Sequence, residues 1–250
     1  MNLEEYLGSV IEAMNTTACA HVANFSPNTP QHAAPWFGRV DVAVYATVGL
    51  NPAPKEFQQG RWPVTPLPLR DHLNRLLDYF VNPTVPYYKS WFDAWERALQ
   101  CLGHSYFSDT VHLDLSPRAT VPVSSVPDRP RFIEMVAADI RWFYALLARM
   151  TQIRGLLVAG SSWGVTKNGN IGAVHLDRIL RETAPTYGFA LSRGETRQRS
   201  GTKIATYTLS LPGGDRIPAF FCGASPSSNS AEDLVQAVCN GTSLLKELGF

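Results

Sequence analysis

Four short apolar runs stand out along the chain, at residues 42–48, 111–115, 156–159 and 219–222, and each gives way to a small residue. Near-continuous apolar runs bounded in this way mark strands buried on both faces of a parallel sheet. Between them lie amphipathic stretches at 69–80, 90–102, 130–150, 174–182 and 231–248, whose apolar positions recur at helical spacing. Ser230, followed by Glu232 and Asp233, suits the start of the last helix. Alternating strands and helices predict an α/β protein, a three-layer α/β/α domain around a four-stranded parallel sheet. One segment departs from the alternation. Residues 189–211 read as an extra β-hairpin, its two arms joined by the basic tract GETRQRSGTK.

Size and composition add boundaries. A chain of 250 residues that is 45% hydrophobic can bury one sizeable core, so a single domain over 1–250 is expected. The net charge of +1 announces no global basic field. A local basic patch still suffices for transient DNA binding, because phosphate contacts act locally. The opening MNLEEYLGSVIEAMNTT reads as a helix rather than a signal peptide, and no apolar run reaches membrane-spanning length. Cys19, Cys101, Cys222 and Cys239 are scattered without a CxxC pair, so neither a metal site nor a disulfide is expected. These features together predict a cytoplasmic monomer without a cofactor.

Candidate chemistry sits where strands end. The first run stops at Gly49, and Leu50-Asn51-Pro52 opens a stiff loop at the carboxyl end of the strand. Open parallel sheets bind ligands there. Gly49 permits close backbone approach and Pro52 fixes φ, which either aims the Asn51 side chain into a cleft or leaves it bonding its own backbone in a turn. The last run leads into Ser225-Pro226-Ser227-Ser228-Asn229 and then a helix, whose free N–H groups suit a phosphate. No GxSxG elbow and no GxxxxGKS loop is present; Gly160-Ser161-Ser162-Trp163-Gly164 lacks the elbow pattern. A small-molecule α/β enzyme using Ser161, Ser162 or Ser225 as nucleophile is the rival reading.

These two loops resemble the signature of the uracil-DNA glycosylase superfamily. Its members carry GQDPY, GINPG or GMNPG after the first strand and HPS, NPS or MPSS before the last helix. Gly49-Leu50-Asn51-Pro52 and Ser225-Pro226-Ser227-Ser228 occur in that order and context. The resemblance implies a sheet of that superfamily's type and cleavage of a base from DNA after the nucleotide is flipped out. It implies that Asn51 positions the water and that Ser225 stands where other members stabilise the departing base. Gly49, Leu50, Pro52 and His112 would line the base, with His112 and His175 as further donors. An aromatic after the first motif stacks the base: Trp62, or its competitor Phe57, unless both rings simply cover the sheet edge. Ser227, Ser228 and Asn229 would hold the phosphates beside the flipped nucleotide. Arg193, Arg197, Arg199 and Lys203 either join them or form a solvated hairpin tip.

The middle strand sharpens the substrate. Single-strand-selective members have HNYCP there; this chain has His112-Leu113-Asp114-Leu115-Ser116-Pro117, with Asp114 aligned to the base-reading Asn. An ionised Asp only accepts, which suits the cytosine amine, and a protonated one can donate to cytosine N3. Asp114 could instead cap a helix or pair with Arg118. The resemblance therefore implies a monofunctional glycosylase acting on a cytosine-type base, as in the anti-phage branch that removes glucosylated hydroxymethylcytosine. A uracil or thymine mismatch glycosylase and a non-catalytic DNA-binding member are the alternatives.

Overall fold

Helix α1, Leu3–Thr16, starts on a reciprocal cap. Asn2 Oδ1 accepts from the Glu5 N–H at 2.9 Å, and Glu5 Oε2 accepts from the Asn2 N–H at 2.8 Å. Tyr6, Leu7 and Val10 form its buried face, and the Tyr6 hydroxyl donates to the Trp142 carbonyl, fastening α1 to the body. The computed structural model describes residues 1–16, 32–57, 61–63, 65–82, 87, 89–120, 129–159, 176–199, 202–224, 231–241 and 245.

After α1 come the two-residue strand β1 (Trp36–Phe37) and β2 (Tyr45–Gly49). A 3-10 turn follows over Pro54–Phe57, then helices α2 (Leu69–Leu77) and α3 (Lys89–Gln100). Strand β3 (Thr110–Asp114), helix α4 (Arg129–Leu147), strand β4 (Gly155–Ala159) and helix α5 (Leu176–Thr183) continue the alternation. The chain then runs through β5 (Ala190–Arg199), β6 (Thr202–Ser210), β7 (Arg216–Cys222) and helix α6 (Ala231–Asn240).

The seven strands of the described residues form one mixed sheet in the order β1-β3-β2-β4-β7-β6-β5. β3, β2, β4 and β7 run parallel as neighbours, and these are the strands expected from the four apolar runs. β2, β3 and β4 are buried at every position, as strands covered on both faces must be. The sheet does not stop at four strands. β6 pairs antiparallel with β7, so the hairpin extends the main sheet instead of standing apart, and β1 adds an antiparallel strand beyond β3. Ladder bonding from Ile204↔Cys222 to Ser210↔Arg216 leaves no break between hairpin and sheet.

α3 packs on α6, and there the cysteine expectation is corrected. Cys101 and Cys239 form a disulfide across that contact, with Cα atoms 5.2 Å apart, while Cys222 is a buried free thiol. The two partners are 138 residues apart in sequence, and only helix packing brings them together. No helix among the described residues is long and apolar enough to cross a membrane.

Candidate active site

β2 and β3 end together. Gly49 pairs with Asp114 in the parallel register, so the loops that follow leave the sheet side by side. Two backbone bonds join those loops: Leu115 N–H to Gly49 O at 3.2 Å and Ser116 N–H to Leu50 O at 3.0 Å. Asn51 adds a side-chain tie. Its Nδ2 donates to Arg118 O at 2.9 Å and to Thr120 Oγ1 at 2.8 Å, with a longer 3.4 Å contact to Pro52 O. The Arg118 carbonyl can only accept, so this bond fixes which end of the amide is nitrogen. The stronger bonds are long-range, and the side chain is a bridge between loops rather than a local turn. Both amide protons are engaged, and among the described residues nothing donates to Oδ1. A half-buried Asn with a fixed nitrogen and an open oxygen is a positioned acceptor.

Arg118 does not pair with Asp114. Its Nε donates to Asp139 Oδ2 at 2.8 Å, and the Ser116 hydroxyl donates to the same oxygen at 2.7 Å. That buried set holds residues 116–118, and with them the carbonyl that anchors Asn51.

Asp114 is fully enclosed. Oδ1 lies 3.5 Å from His112 Nε2, and Oδ2 is buried without a hydrogen-bond partner among the described residues. Burial pushes the carboxyl above its ordinary pKa, while the charge and hydrogen bond of His112 work the other way. Behind His112, Nδ1 meets Thr47 Oγ1 at 2.8 Å, which meets the Tyr106 hydroxyl at 2.5 Å. The chain is satisfied when Tyr106 donates to Thr47, Thr47 donates to Nδ1, and Nε2–H points at Asp114. Burial holds the Tyr106 phenol far above its usual pKa, in keeping with a neutral donor at the head of that chain. Gly49 makes room for all of this. A Cβ there would fall 2.8 Å from Asp114 Oδ1 and 3.0 Å from His112 Nε2.

Another buried carboxyl, absent from the sequence expectations, lies in the 3-10 turn after Pro52. Glu56 accepts from the Tyr79 hydroxyl through Oε2, while Oε1 is buried and receives no aligned hydrogen bond. Desolvation raises its pKa to about 7, opposed by the Tyr79 bond, the Arg61 charge and the nearby Trp62 indole, and reinforced by the Asp114 charge. In sequence the residue is one acid in the string PAPKEF, which reads as a solvated loop; its burial needs Tyr79 from beyond α2.

Phe57 and Trp62 are also interior. Trp62 packs on His32 at 4.9 Å, His72 at 5.3 Å and Phe57 at 5.4 Å, with the Arg75 guanidinium 5.2 Å from its ring. His32 and His72 bond the carbonyls of Pro63 and Ala33, so the cluster ties residues 61–63 to the segment before β1. Both aromatic rings are buried among protein side chains as the chain stands.

The remaining candidates divide by place. Ser225, Ser227, Ser228, Asn229, His175, Ser161 and Ser162 lie outside the described residues. Arg193, Arg197 and Arg199 belong to β5 and Lys203 to β6. Because β6 runs antiparallel to β7, with Ile204 opposite Cys222, the hairpin tip stands at the sheet end where β2, β3, β4 and β7 finish. The basic tract and the Asn51 loop thus share one end of the sheet, three to four strands apart. Arg193 is exposed and donates to Thr196 Oγ1 at 2.8 Å.

A cavity of about 650 Å³ lies at the opposite end of the strands, lined by Arg154, Leu211, Asp215 and Arg216 among others, and contains none of the candidate residues. Among the described residues no group of three His, Cys, Asp or Glu side chains could hold a metal ion. Compared with known protein families, curated proteins and solved structures, the chain matches none.

Proposed function

We propose that this chain is a monofunctional DNA glycosylase of uracil-DNA glycosylase type, acting on a cytosine-type base. The observation that carries the reading is the arrangement of Asn51 and Asp114 at two paired strand ends. Asn51 has its nitrogen anchored and its oxygen open. Asp114, at the register position of Gly49, has a buried oxygen without a partner. A buried polar atom of that kind is costly unless a ligand completes it.

In the reaction, the bond between C1′ and the base nitrogen breaks and its electron pair leaves with the base. Asn51 Oδ1 accepts a hydrogen bond from a water whose oxygen forms the new bond to C1′. The water's proton balances the departing base, and an abasic sugar remains. Asp114 meets the base edge, accepting from the amine of a cytosine when ionised or donating to N3 when protonated. Ser225, with backbone N–H groups, serves the leaving base, and Ser227, Ser228 and Asn229 the flanking phosphates. Arg197, Arg199 and Lys203 extend the phosphate contacts from the hairpin tip, with Arg193 further along β5 opposite Tyr207, and Trp62 or Phe57 stacks the base once its cluster opens. The sheet is then the superfamily's three-layer core, enlarged by the hairpin, in a monomer that meets DNA in the cytoplasm.

Mass spectrometry of bases released from several phage DNAs tests this, with Asn51→Ala as control. Release of a modified cytosine that Asn51→Ala abolishes is expected. Persistent binding with no alkali-labile sites would make the chain a non-catalytic binder. Asp114→Asn with unaltered preference across uracil, cytosine and glucosylated-cytosine duplexes would remove the cytosine assignment.

A further inference from the structure

The glycosylase reading uses Asp114, yet a further enclosed carboxyl, Glu56, also has an oxygen without an aligned partner. We propose that Glu56 is a second base-reading side chain, its Oε1 meeting the edge of the same flipped base that Asp114 Oδ2 meets. The inference rests on the glycosylase reading for the identity of the ligand as a base, and on geometry for the role of Glu56.

Glu56 and Asp114 are each about 2% exposed; Tyr79 bonds Glu56 Oε2 and His112 Nε2 lies 3.5 Å from Asp114 Oδ1, while Glu56 Oε1, beside the Trp62 indole, and Asp114 Oδ2 receive no aligned hydrogen bond among the described residues. Five buried side-chain atoms lack a partner among the described residues; three are tryptophan N–H groups, and the two acceptors are these carboxyl oxygens, which one ligand would complete. Contacts link them: Tyr79, which binds Glu56, lies 4.5 Å from Phe37, whose ring stacks over His112 at 6.3 Å, and His112 Nε2 lies 3.5 Å from Asp114 Oδ1. Glu56 follows Asn51 by five residues, so one short loop carries both the water-positioning oxygen and this carboxyl.

Burial raises both carboxyls, Glu56 to about 7, so below neutral pH Glu56 keeps a proton that it can share with a ligand. A pair with one proton offers one donor and one acceptor. Cytosine-type bases present the complement side by side, an amine N–H beside the bare ring nitrogen N3. We assign the proton to Glu56, which donates to N3, and the anion to Asp114, which accepts from the amine. Arg61, Arg75 and the Trp62 indole face Glu56 from the adjoining segments and favour its anion, so the proton is held by burial and by Asp114.

The test measures binding and cleavage separately. Fluorescence anisotropy reads affinity between pH 6 and 9 for a duplex carrying 5-hydroxymethylcytosine on a 2′-fluoroarabino sugar, which resists cleavage. The same duplex carrying unmodified thymine measures background. In the wild-type protein, affinity above background should fall about tenfold per pH unit once Glu56 loses its proton. Glu56→Gln keeps a permanent donor and should abolish that fall. Tyr79→Phe removes a bond that favours the anion and should move the fall to higher pH. No preference for the modified duplex at any pH, or an unchanged fall in Glu56→Gln, would overturn the proposal; an unmoved profile in Tyr79→Phe would do the same. Base release is scored in parallel on the ordinary sugar. Glu56-dependent binding without release sinks the glycosylase reading alone, and release with a profile indifferent to Glu56→Gln sinks the Glu56 assignment alone.

Discussion

Gly49 and Asp114 stand opposite each other in the β2–β3 ladder, so close that a Cβ on Gly49 would lie 2.8 Å from the Asp114 carboxylate. The glycine is what admits a buried carboxyl and imidazole at a strand end. Gly49→Ala should cost about 1–3 kcal/mol, the usual range for overpacking a filled interior. Denaturant unfolding checks the stability, and base release by the same variant should fall because Asp114 is displaced. An alanine protein as stable as wild type would show that the neighbours give way freely.

On the proposed glycosylase reading, Asn51 stands where the GQDPY form has an acid, which invites the exchange Asn51→Asp. Here it should lower activity. The amide nitrogen binds Arg118 O and Thr120 Oγ1, and a carboxylate would turn an acceptor toward an acceptor carbonyl. A loss of about 1–3 kcal/mol in stability is expected from the unmade bonds. Thermal unfolding and single-turnover base release measure the two effects, and faster release by the Asp variant would contradict this account.

His72 and Glu56 should give stability opposing pH slopes. Burial, helped by the charges of His32 and Arg75, lowers His72 to about 4, and the bond to Ala33 O only partly offsets it. Below pH 6.5 the unfolded chain binds a proton that the folded chain refuses until about pH 4, so stability falls as pH falls through that window. Glu56, raised to about 7, does the reverse. Its unfolded carboxyl ionises near 4.5 while the folded one keeps its proton, so stability falls as pH rises from 4.5 to 7. Between 4.5 and 6.5 the two slopes cancel. Glu56→Gln should unmask the histidine, and stability should then drop by on the order of 2 kcal/mol from pH 6.5 to 4.5. A flat profile in the variant, measured by urea unfolding across that range, would argue against the pairing.

The Cys101–Cys239 bond closes a loop of 138 residues. Cys101→Ser or a reductant should each destabilise the protein by about 2–4 kcal/mol, and the reductant should have no further effect on the serine variant. Free-thiol titration of protein taken from cells reports whether the bond closes in a reducing compartment. Identical unfolding midpoints with and without reductant would exclude any structural contribution.

Periodicity carried most of the fold. Residues 111–115 and 156–159 are within one or two positions of β3 and β4, because a strand buried on both faces has no polar positions to blur it. The hairpin was visible in its alternation, but its union with β7 was not, since pairing partners leave no local trace. β1, two residues long, is too short for any periodic signal. In the site, Gly49 and Asn51 are legible from residue type at a strand end, and Asp114 only through the resemblance of the middle strand. Glu56 was not, because an acid in a proline-rich loop becomes remarkable only once Tyr79 and Trp62 close over it. Trp62 carries the same lesson reversed: an aromatic expected at a cleft is packed against two imidazoles supplied by distant segments.

The hairpin also decides what the sheet offers to other copies of the chain. Without it, β7 would be an edge of bare N–H and C=O groups alongside Phe220 and Phe221, a template for edge-to-edge aggregation. With it, the edge passes to β5, which carries Arg193, Glu195, Arg197 and Arg199 and breaks register between Arg193 and Thr196. Charges and a bulge on a last strand deter a newcomer from docking in register. At the other margin β1 is only two residues long and gives an incoming strand almost nothing to hold. The basic strand therefore protects solubility whatever it contacts, and neutralising its arginines should show first as clouding of concentrated protein.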